Sequence, residues 1–497
     1  MDVALAYARH TSCASTLSSS ALDFATNLRR PPVAFRGRVR EPLLLRQLLL
    51  ALHTVVISDY SESERWSWQL DPVITVHPDC LFFEAFSNDE SSYARLDAPL
   101  DRFEPEGPPS YGTTNIDFTW ALRSELERMR SSRETSFGVG AGGFAVATAG
   151  PGGGAHIEQK VELPDSWLKG FLQVQSALAL RPLLFDVRPA DLLTAIAVFQ
   201  DQRPPRPPHG LRYELSPGEP VRLAVEPWDT RVTLHGARYD GYPRVVRVWG
   251  RKRLELLRAV LPYSERVTVG LLGRGLPHLY ICHCGGYRFT LALSGWTRND
   301  WAAGSAFDEL APRGPLDAEQ TAAVYACLAR HLVASRRRIS EETGLAPATV
   351  EHALYRLCRG GRAIIEPTGG RFRLRELFAE PVDLDTLFPP DPRGATARRL
   401  LDAGAARLDS VQAPAPDGTG RREHKAVAVV QDGGPQTAVA AVDLDGRLRF
   451  GQCSCAFFQR NIMSRGPCEH ILAARLLLDQ HLAEAATPAG SADGEGF

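Results

Sequence analysis

Cys453-Ser454-Cys455 is followed, twelve residues later, by Cys468-Glu469-His470. Three thiolates and one imidazole make a complete tetrahedral set for zinc. A set closed by four protein ligands leaves no position for water or substrate, so its expected work is holding a fold together, not chemistry. The expected cofactor is one structural Zn2+, held by Cys453, Cys455, Cys468 and His470.

Such ligands need elements that bring them together. Thr437–Val442 and Arg447–Gly451 are short β-like runs, and the Asp445-Gly446 pair between them is a hairpin turn signal. The first ligand pair therefore falls where a strand ends, and both thiols reach one side only if the backbone bends there. Downstream, Ile471, Leu472, Leu476 and Leu482 recur at helical spacing, with Pro467 before the start. The helix dipole would favour the thiolate form of Cys468.

The block from Lys425 to Leu482 resembles the SWIM-type zinc finger, whose pattern is C-x-C-x(n)-C-x-H on a ββα unit. The resemblance implies the same four ligands; zinc fixing the hairpin to the helix would then present Phe457, Phe458, Arg460 and Arg465 of the intervening loop as a contact surface.

The remaining cysteines are a different matter. Cys13, Cys80, Cys327 and Cys358 are isolated in sequence, and a total of nine argues against a disulfide framework. Cys282-His283-Cys284 lies in the β-like run His278–Leu293 with no second ligand pair nearby, and reads as strand. With neither a secretory leader pattern at Met1–Ala25 nor an apolar run long enough for a membrane span, a reducing cytoplasmic location and no membrane contact are expected. A formal net charge of −1 gives no global field towards nucleic acid.

At 497 residues the chain calls for several cores. The expected organisation is α+β and multidomain: an N-terminal α/β region (1–202), a Pro-rich connector and strand (203–227), a central α+β unit (228–305), a winged-helix-like domain (316–378), a ββα zinc module (423–484) and a polar, disordered tail (487–497). Gly138–Ala155 reads as a flexible linker. In the N-terminal region, Leu43–Ser58 reads as a helix running into a buried strand, and Asp79, Glu84, Asp89 and Glu90 as a solvated face. No nucleophile–base pair emerges there. In the central unit, Arg251-Lys252-Arg253 opens a helical pattern and reads as a solvated end. Val248–Leu254, Leu272–Pro277 and Leu293–Trp301 resemble segments of bacterial SWIM zinc-finger proteins encoded beside MoxR-type ATPases and von Willebrand factor A domain proteins. That resemblance implies a non-enzymatic protein partnering such a chaperone-like system.

Between Leu316 and Phe378 the pattern is helix, short helix closed at Gly344, helix opened by Pro347, and a hairpin with a Gly369-Gly370 tip. In a DNA reader the third helix enters the major groove and the wing touches phosphates. The contact candidates are then Thr349, His352, Tyr355 and Arg356 on the helix and Arg371 and Arg373 on the wing, with Arg336-Arg337-Arg338 near phosphate. Glu351 on the same helix would repel phosphate. Ten arginines against seven acidic residues give this stretch only +3, a weak footprint for a DNA binder. The sequence therefore favours a zinc-binding, non-catalytic adaptor with a protein partner. A DNA-binding regulator is the alternative, and an enzyme with a site in the N-terminal half the weaker one.

Overall fold

In a computed structural model the described residues are 12–15, 20–25, 33–60, 72–115, 118–140, 142–148, 155–156, 165–201, 210–236, 238–273, 276–295, 301, 316–377, 392–416, 422–443, 448–461, 463 and 466–486. The chain is α+β and multidomain, and it separates into two compact units. One comprises 1–304 with 315–387, the other 305–314 with 388–497. The connector at 203–209, the tail at 487–497 and Arg465 lie outside the described residues.

The first unit is built on antiparallel sheets. Its eight-stranded sheet runs in the order Leu183–Val187, Arg266–Leu271, His278–Cys284, Tyr287–Leu293, Ser92–Pro99, Cys80–Phe86, Val73–Val76 and Gly112–Asn115. Cys80–Phe86 (β1), Ser92–Pro99 (β2), His278–Cys284 (β3) and Tyr287–Leu293 (β4) are almost wholly buried, as strands covered on both faces must be. Gly285 and Gly286, at φ 55° and 89°, make the two-residue turn between β3 and β4 that splits the run His278–Leu293 into a hairpin. Helices Pro42–Val56 (α1), Trp120–Arg128 (α2), Asp165–Leu178 (α3) and Pro189–Asp201 (α4) belong to the same unit.

Several expectations are corrected here. Leu43–Ser58 contains no strand: α1 continues to Val56, because Leu45, Leu48, Leu49, Leu52, Val55 and Val56 form one continuous buried stripe. The glycine-rich linker is partly a hairpin, with Thr135–Gly140 paired to Gly142–Thr148. Its glycines and alanines alternate with Phe137, Val139, Phe144 and Val146, all buried, so burial of that side-chain row outweighs glycine content. Residues 228–305 do not close on themselves either. Thr230–Leu234 and Arg244–Val248 join a four-stranded sheet with Leu211–Leu215 and Val221–Val225, while β3 and β4 extend the eight-stranded sheet. Arg251 and Arg253 are buried, not a solvated end. Arg253 donates to the Ser91 carbonyl at 2.5 Å and to Ser294 Oγ at 3.1 Å, and Arg251 to the Glu226 carbonyl. Backbone carbonyls and a hydroxyl are among the acceptors that hold these guanidiniums.

Residues 316–377 give helix Ala318–His331 (α5), strand Val333–Ser335 (β5), helices Arg336–Thr343 (α6) and Pro347–Arg359 (α7), and the hairpin Ala363–Ile365 (β6) and Arg371–Leu374 (β7). The three strands pair in the order β5-β7-β6. Asp317 and Gln320 form a reciprocal capping box on α5, Ser335 caps α6, and Gly344 at φ 70° ends α6.

This stretch does not stand apart. Glu366, fully buried in the hairpin, accepts from Arg95 of β2 at 2.7 Å and from Arg373 at 2.5 Å, with Arg288 of β4 at 3.3 Å. Arg373 also reaches Asp79 at 2.5 Å. The Ile365 amide donates to Gln175 of α3 at 2.8 Å, and His77 Nε2 lies 2.7 Å from the Leu374 carbonyl. Burial alone would raise the Glu366 carboxyl; Arg95, then Arg373 and Arg288, hold it far below the usual range. The expected solvated acidic face is therefore corrected at two positions. Glu84 is fully buried, taking the Tyr93 hydroxyl at 2.7 Å, and Asp79 is tied to Arg373.

The second unit carries a four-stranded antiparallel sheet of Ala406–Pro416 (β8), Arg422–Gln431 (β9), Pro435–Asp443 (β10) and Leu448–Cys453 (β11), in that order. Helices Pro392–Asp402 (α8), Ala456–Asn461 (α9) and Glu469–Ala486 (α10) complete it. Ala397 of α8, Val430 of β9 and Leu472 and Ala473 of α10 share one buried cluster. Alanines at 426, 428, 438 and 440 let α10 lie close on the sheet. The expected hairpin is β10–β11, and its turn at 444–447 lies outside the described residues.

Candidate metal centre

Cys453 is the last residue of β11, and the chain turns at once into α9. Ser454 fixes the bend: its amide donates to the Thr437 carbonyl and its hydroxyl takes the Thr437 amide, each at 3.1 Å. Cys455 then caps α9, its carbonyl receiving the Gln459 amide at 3.0 Å and its sulfur the Phe458 amide at 3.4 Å. Cys468 occupies the matching place at the start of α10, where its carbonyl receives the Leu472 amide at 3.0 Å. His470 follows in the first turn. Two thiols at helix N-termini and one at a strand end thus converge, as the bend required by C-x-C demands.

All four are buried, and their donor atoms lie within 4.8 Å of one another. Cys453 Sγ sits 3.7 Å from His470 Nδ1. Tetrahedral zinc with about 2.3 Å to sulfur and about 2.0 Å to nitrogen separates those atoms by about 3.5 Å. The donor set and spacing therefore fit a structural Zn2+, held by Cys453, Cys455, Cys468 and His470. The ring's other nitrogen, Nε2, lies 3.1 Å from Asp432 Oδ2 in the β9–β10 turn. That carboxylate fixes the tautomer that presents Nδ1 to the metal. No sequence pattern flagged Asp432, because it lies 38 residues from its partner.

Electrostatics shows why the thiols need a cation. The Cys468 thiol lowers Cys453 to about 4 by hydrogen bonding, and in return the Cys453 sulfur, together with burial, pushes Cys468 well up. Burial alone would lower His470, yet Cys453, then Cys455 and Asp432, raise it to about 9. Protons are standing in for a metal: a bound dication turns all three thiols to thiolates and leaves the imidazole neutral.

The other sequence candidates are dispersed. Phe458 is buried in α9, and Phe457 is half-covered, with the Arg393 guanidinium 4.8 Å from its ring. The expected loop thus begins as a helix, and Arg460 is exposed on it. On α7, Tyr355 is buried, Thr349 and His352 are half-buried and Arg356 is exposed; Glu351, expected on a reading face, is buried 2.9 Å from Arg181. Arg371 is exposed at the hairpin, but Arg373 is buried in the Glu366 network. Arg336, Arg337 and Arg338 each pair with an acid, Glu351, Glu341 and Glu342. Cys282 and Cys284 are buried in β3 and join no group of metal-binding side chains among the described residues.

A hollow of about 560 Å³, partly open to solvent, lies in the first unit between α3 and the eight-stranded sheet. Arg95, Asp97 and Glu366 line it already bonded to one another, and burial, with Arg253 beside it, pushes His278 down to about 3, so the ring is neutral. Its hydroxyl groups among the described residues are those of Tyr93, Thr290 and Thr368.

Residues 439–476 match the family described as SWIM zinc finger, a span that contains all four ligands. No curated protein matches the chain. Among solved structures, the proliferating cellular nuclear antigen of Entamoeba histolytica is similar at 12% identity and a TM-score of 0.38, over 53% of this chain and 99% of that one. That of Thermococcus kodakaraensis follows at 13% and 0.37, over 53% and 100%. Likeness at that level carries no argument about fold or function. No helix among the described residues is long and apolar enough to cross a membrane.

Proposed function

We propose that this chain is a zinc-stabilised, non-catalytic interaction protein, an adaptor whose C-terminal SWIM module presents a contact surface to a protein partner. The observation that carries the reading is the closed, buried Cys453–Cys455–Cys468–His470 set, which leaves a metal no open position for chemistry. Zinc fixes the end of β11 to the starts of α9 and α10, so the exposed residues of α9, Arg460 above all, are held rigidly. In the hollow beside α3 the charged groups Arg95, Asp97 and Glu366 are already bonded to one another. We place the protein in the cytoplasm, where its thiols stay reduced. A MoxR-type ATPase or a von Willebrand factor A domain protein is the proposed partner class, resting on the resemblance of the central segments alone.

The second reading is a DNA-binding regulator using 316–378 as a winged helix, which the helix–strand–helix–helix–hairpin order supports. Burial around α7 weighs against it. Val350, Glu351, Ala353, Leu354, Tyr355, Leu357 and Cys358 are all covered, by α5 on one side and α3 on the other. That leaves Arg356, with half-buried Thr349 and His352, as the part of α7 a groove could meet.

Fluorescence anisotropy of zinc-loaded full-length protein with labelled duplex DNA, across a salt series, separates the two readings. Absence of binding at low salt is expected. Tight binding with a steep salt slope, reduced by Arg356→Ala, would replace the adaptor with the regulator.

A further inference from the structure

We infer that Cys327, His331 and Glu342 form a second metal site, for a divalent cation of the zinc class, exchangeable and open to solvent. Cys327 and His331 are four residues apart on α5 and so share one face. Glu342 faces them from the last turn of α6. One atom gathers the three: Glu342 Oε2 lies 2.8 Å from His331 Nε2 and 3.6 Å from Cys327 Sγ. The three donor atoms all lie within 4.8 Å of one another. Around tetrahedral zinc, sulfur and oxygen stand about 3.6 Å apart and nitrogen and oxygen about 3.4 Å. The first edge is already in place. The second must open by about 0.6 Å, which suits a carboxylate whose side chain is 30% exposed.

The surroundings decide what kind of site this is. Arg338 Nε holds Glu342 by the opposite oxygen, Oε1, at 2.9 Å, leaving Oε2 aimed at the Cys–His pair. Arg330 Nη1 is 3.3 Å from Oε2, on a side chain 67% exposed that is free to swing away. Its positive charge makes this site weaker than the C-terminal one, where no guanidinium touches a ligand atom among the described contacts. Cys327 is buried, whereas His331 is 20% exposed, so water reaches the remaining coordination position. On binding, the Cys327 thiol releases its proton. The His331 ring binds through Nε2 with its own proton on Nδ1, and the Glu342 carboxylate exchanges hydrogen bonds for the metal. Three ligands plus water is the arrangement of an exchangeable ion; here it would pin α5 to α6.

The test titrates full-length protein, its C-terminal centre loaded with zinc, with Co2+, reading thiolate-to-cobalt absorption. One equivalent of cobalt should give that absorption in the wild type. Cys327→Ser should abolish it, and Glu342→Gln, at a surface position that spares the fold, should weaken uptake at least about tenfold. The absence of a thiolate band in the wild type overturns the site. So does a band that Cys327→Ser leaves unchanged, since cobalt then occupies the C-terminal centre. Equal affinity in Glu342→Gln and wild type overturns the three-ligand set and leaves the trio as a hydrogen-bonded tie between helices.

Discussion

Each unit gathers like-charged groups in a buried place, and each neutralises them differently. In the C-terminal unit three thiols meet one histidine, and neutrality comes from a cation outside the chain. In the larger unit Glu366 and Asp97, with Asp79 at the rim, meet Arg95, Arg288 and Arg373, and neutrality comes from the chain itself. The first arrangement makes folding conditional on metal. The second makes it conditional on every partner being present, because a buried charge deprived of its counter-charge is costly. One region should therefore respond to chelators and the other to single charge deletions.

The largest effect expected is on the metal side. Cys468→Ser, or removal of zinc by a chelator, should unfold the ββα module, since structural zinc contributes on the order of 10 kcal/mol to such folds. Zinc content should fall by one per chain, and hydrogen exchange should lose protection over 423–486 while residues 363–374 keep theirs. A variant that retains zinc and protection would break the comparison at its root. On the arginine side, Glu366→Gln keeps shape but removes the charge facing Arg95 and Arg373. A loss of about 3–5 kcal/mol is expected in denaturant unfolding of the first unit, with no dependence on chelator.

The contrast also explains what could be read from the sequence. The metal centre was legible down to each ligand because its chemistry is local: C-x-C and C-x-H are each set by one strand end or helix start, and only four residue types suit zinc. The helices and hairpin of 316–378 were legible for the same reason, through Pro347, Gly344 and the Gly369-Gly370 tip. Their surroundings were not. Arg373 meets Asp79 across 294 positions and Glu366 meets Arg95 across 271, and no periodicity encodes such pairs. Arg373 and Tyr355 consequently read as contact residues when they are interior ones. Cys327 shows the opposite failure: it reads as isolated, although the four-residue step to His331 on a helix was there to be noticed.

In the first unit acid should act through two buried histidines before it reaches the carboxylates. His53 and His77 are buried, and burial, with Arg123 beside one and Arg373 beside the other, pushes both down to about 4 from an ordinary 6.5. Between those values the unfolded chain holds protons that the folded chain does not, so stability falls as pH drops from 6.5 towards 4. Each histidine should cost on the order of 1–3 kcal/mol over that window. Below about pH 4.5 Glu366 adds to the loss, because its folded carboxyl titrates well under the ordinary value and its stabilisation fades as protons bind. Denaturant midpoints of His53→Gln and His77→Gln should depend less on pH between 6.5 and 4 than the wild type, and an unchanged slope would refute the assignment to these rings.

The smallest effect tests how far the metal centre depends on the chain around it. Asp432 does not ligate; it holds His470 Nε2 from the β9–β10 turn, on a side chain 45% exposed. Asp432→Asn keeps an acceptor oxygen within reach but removes the charge, so it weakens the bias towards the tautomer that offers Nδ1 and lowers the imidazole's basicity. Zinc affinity, read by competition with a chromophoric chelator, should fall about 10–100-fold while the fold at saturating zinc is unchanged. Asp432→Ala should fall further, since no acceptor remains. If neither variant shifts the competition, His470 is oriented by packing alone under the start of α10, and the centre is fixed by its four ligands without help from the turn.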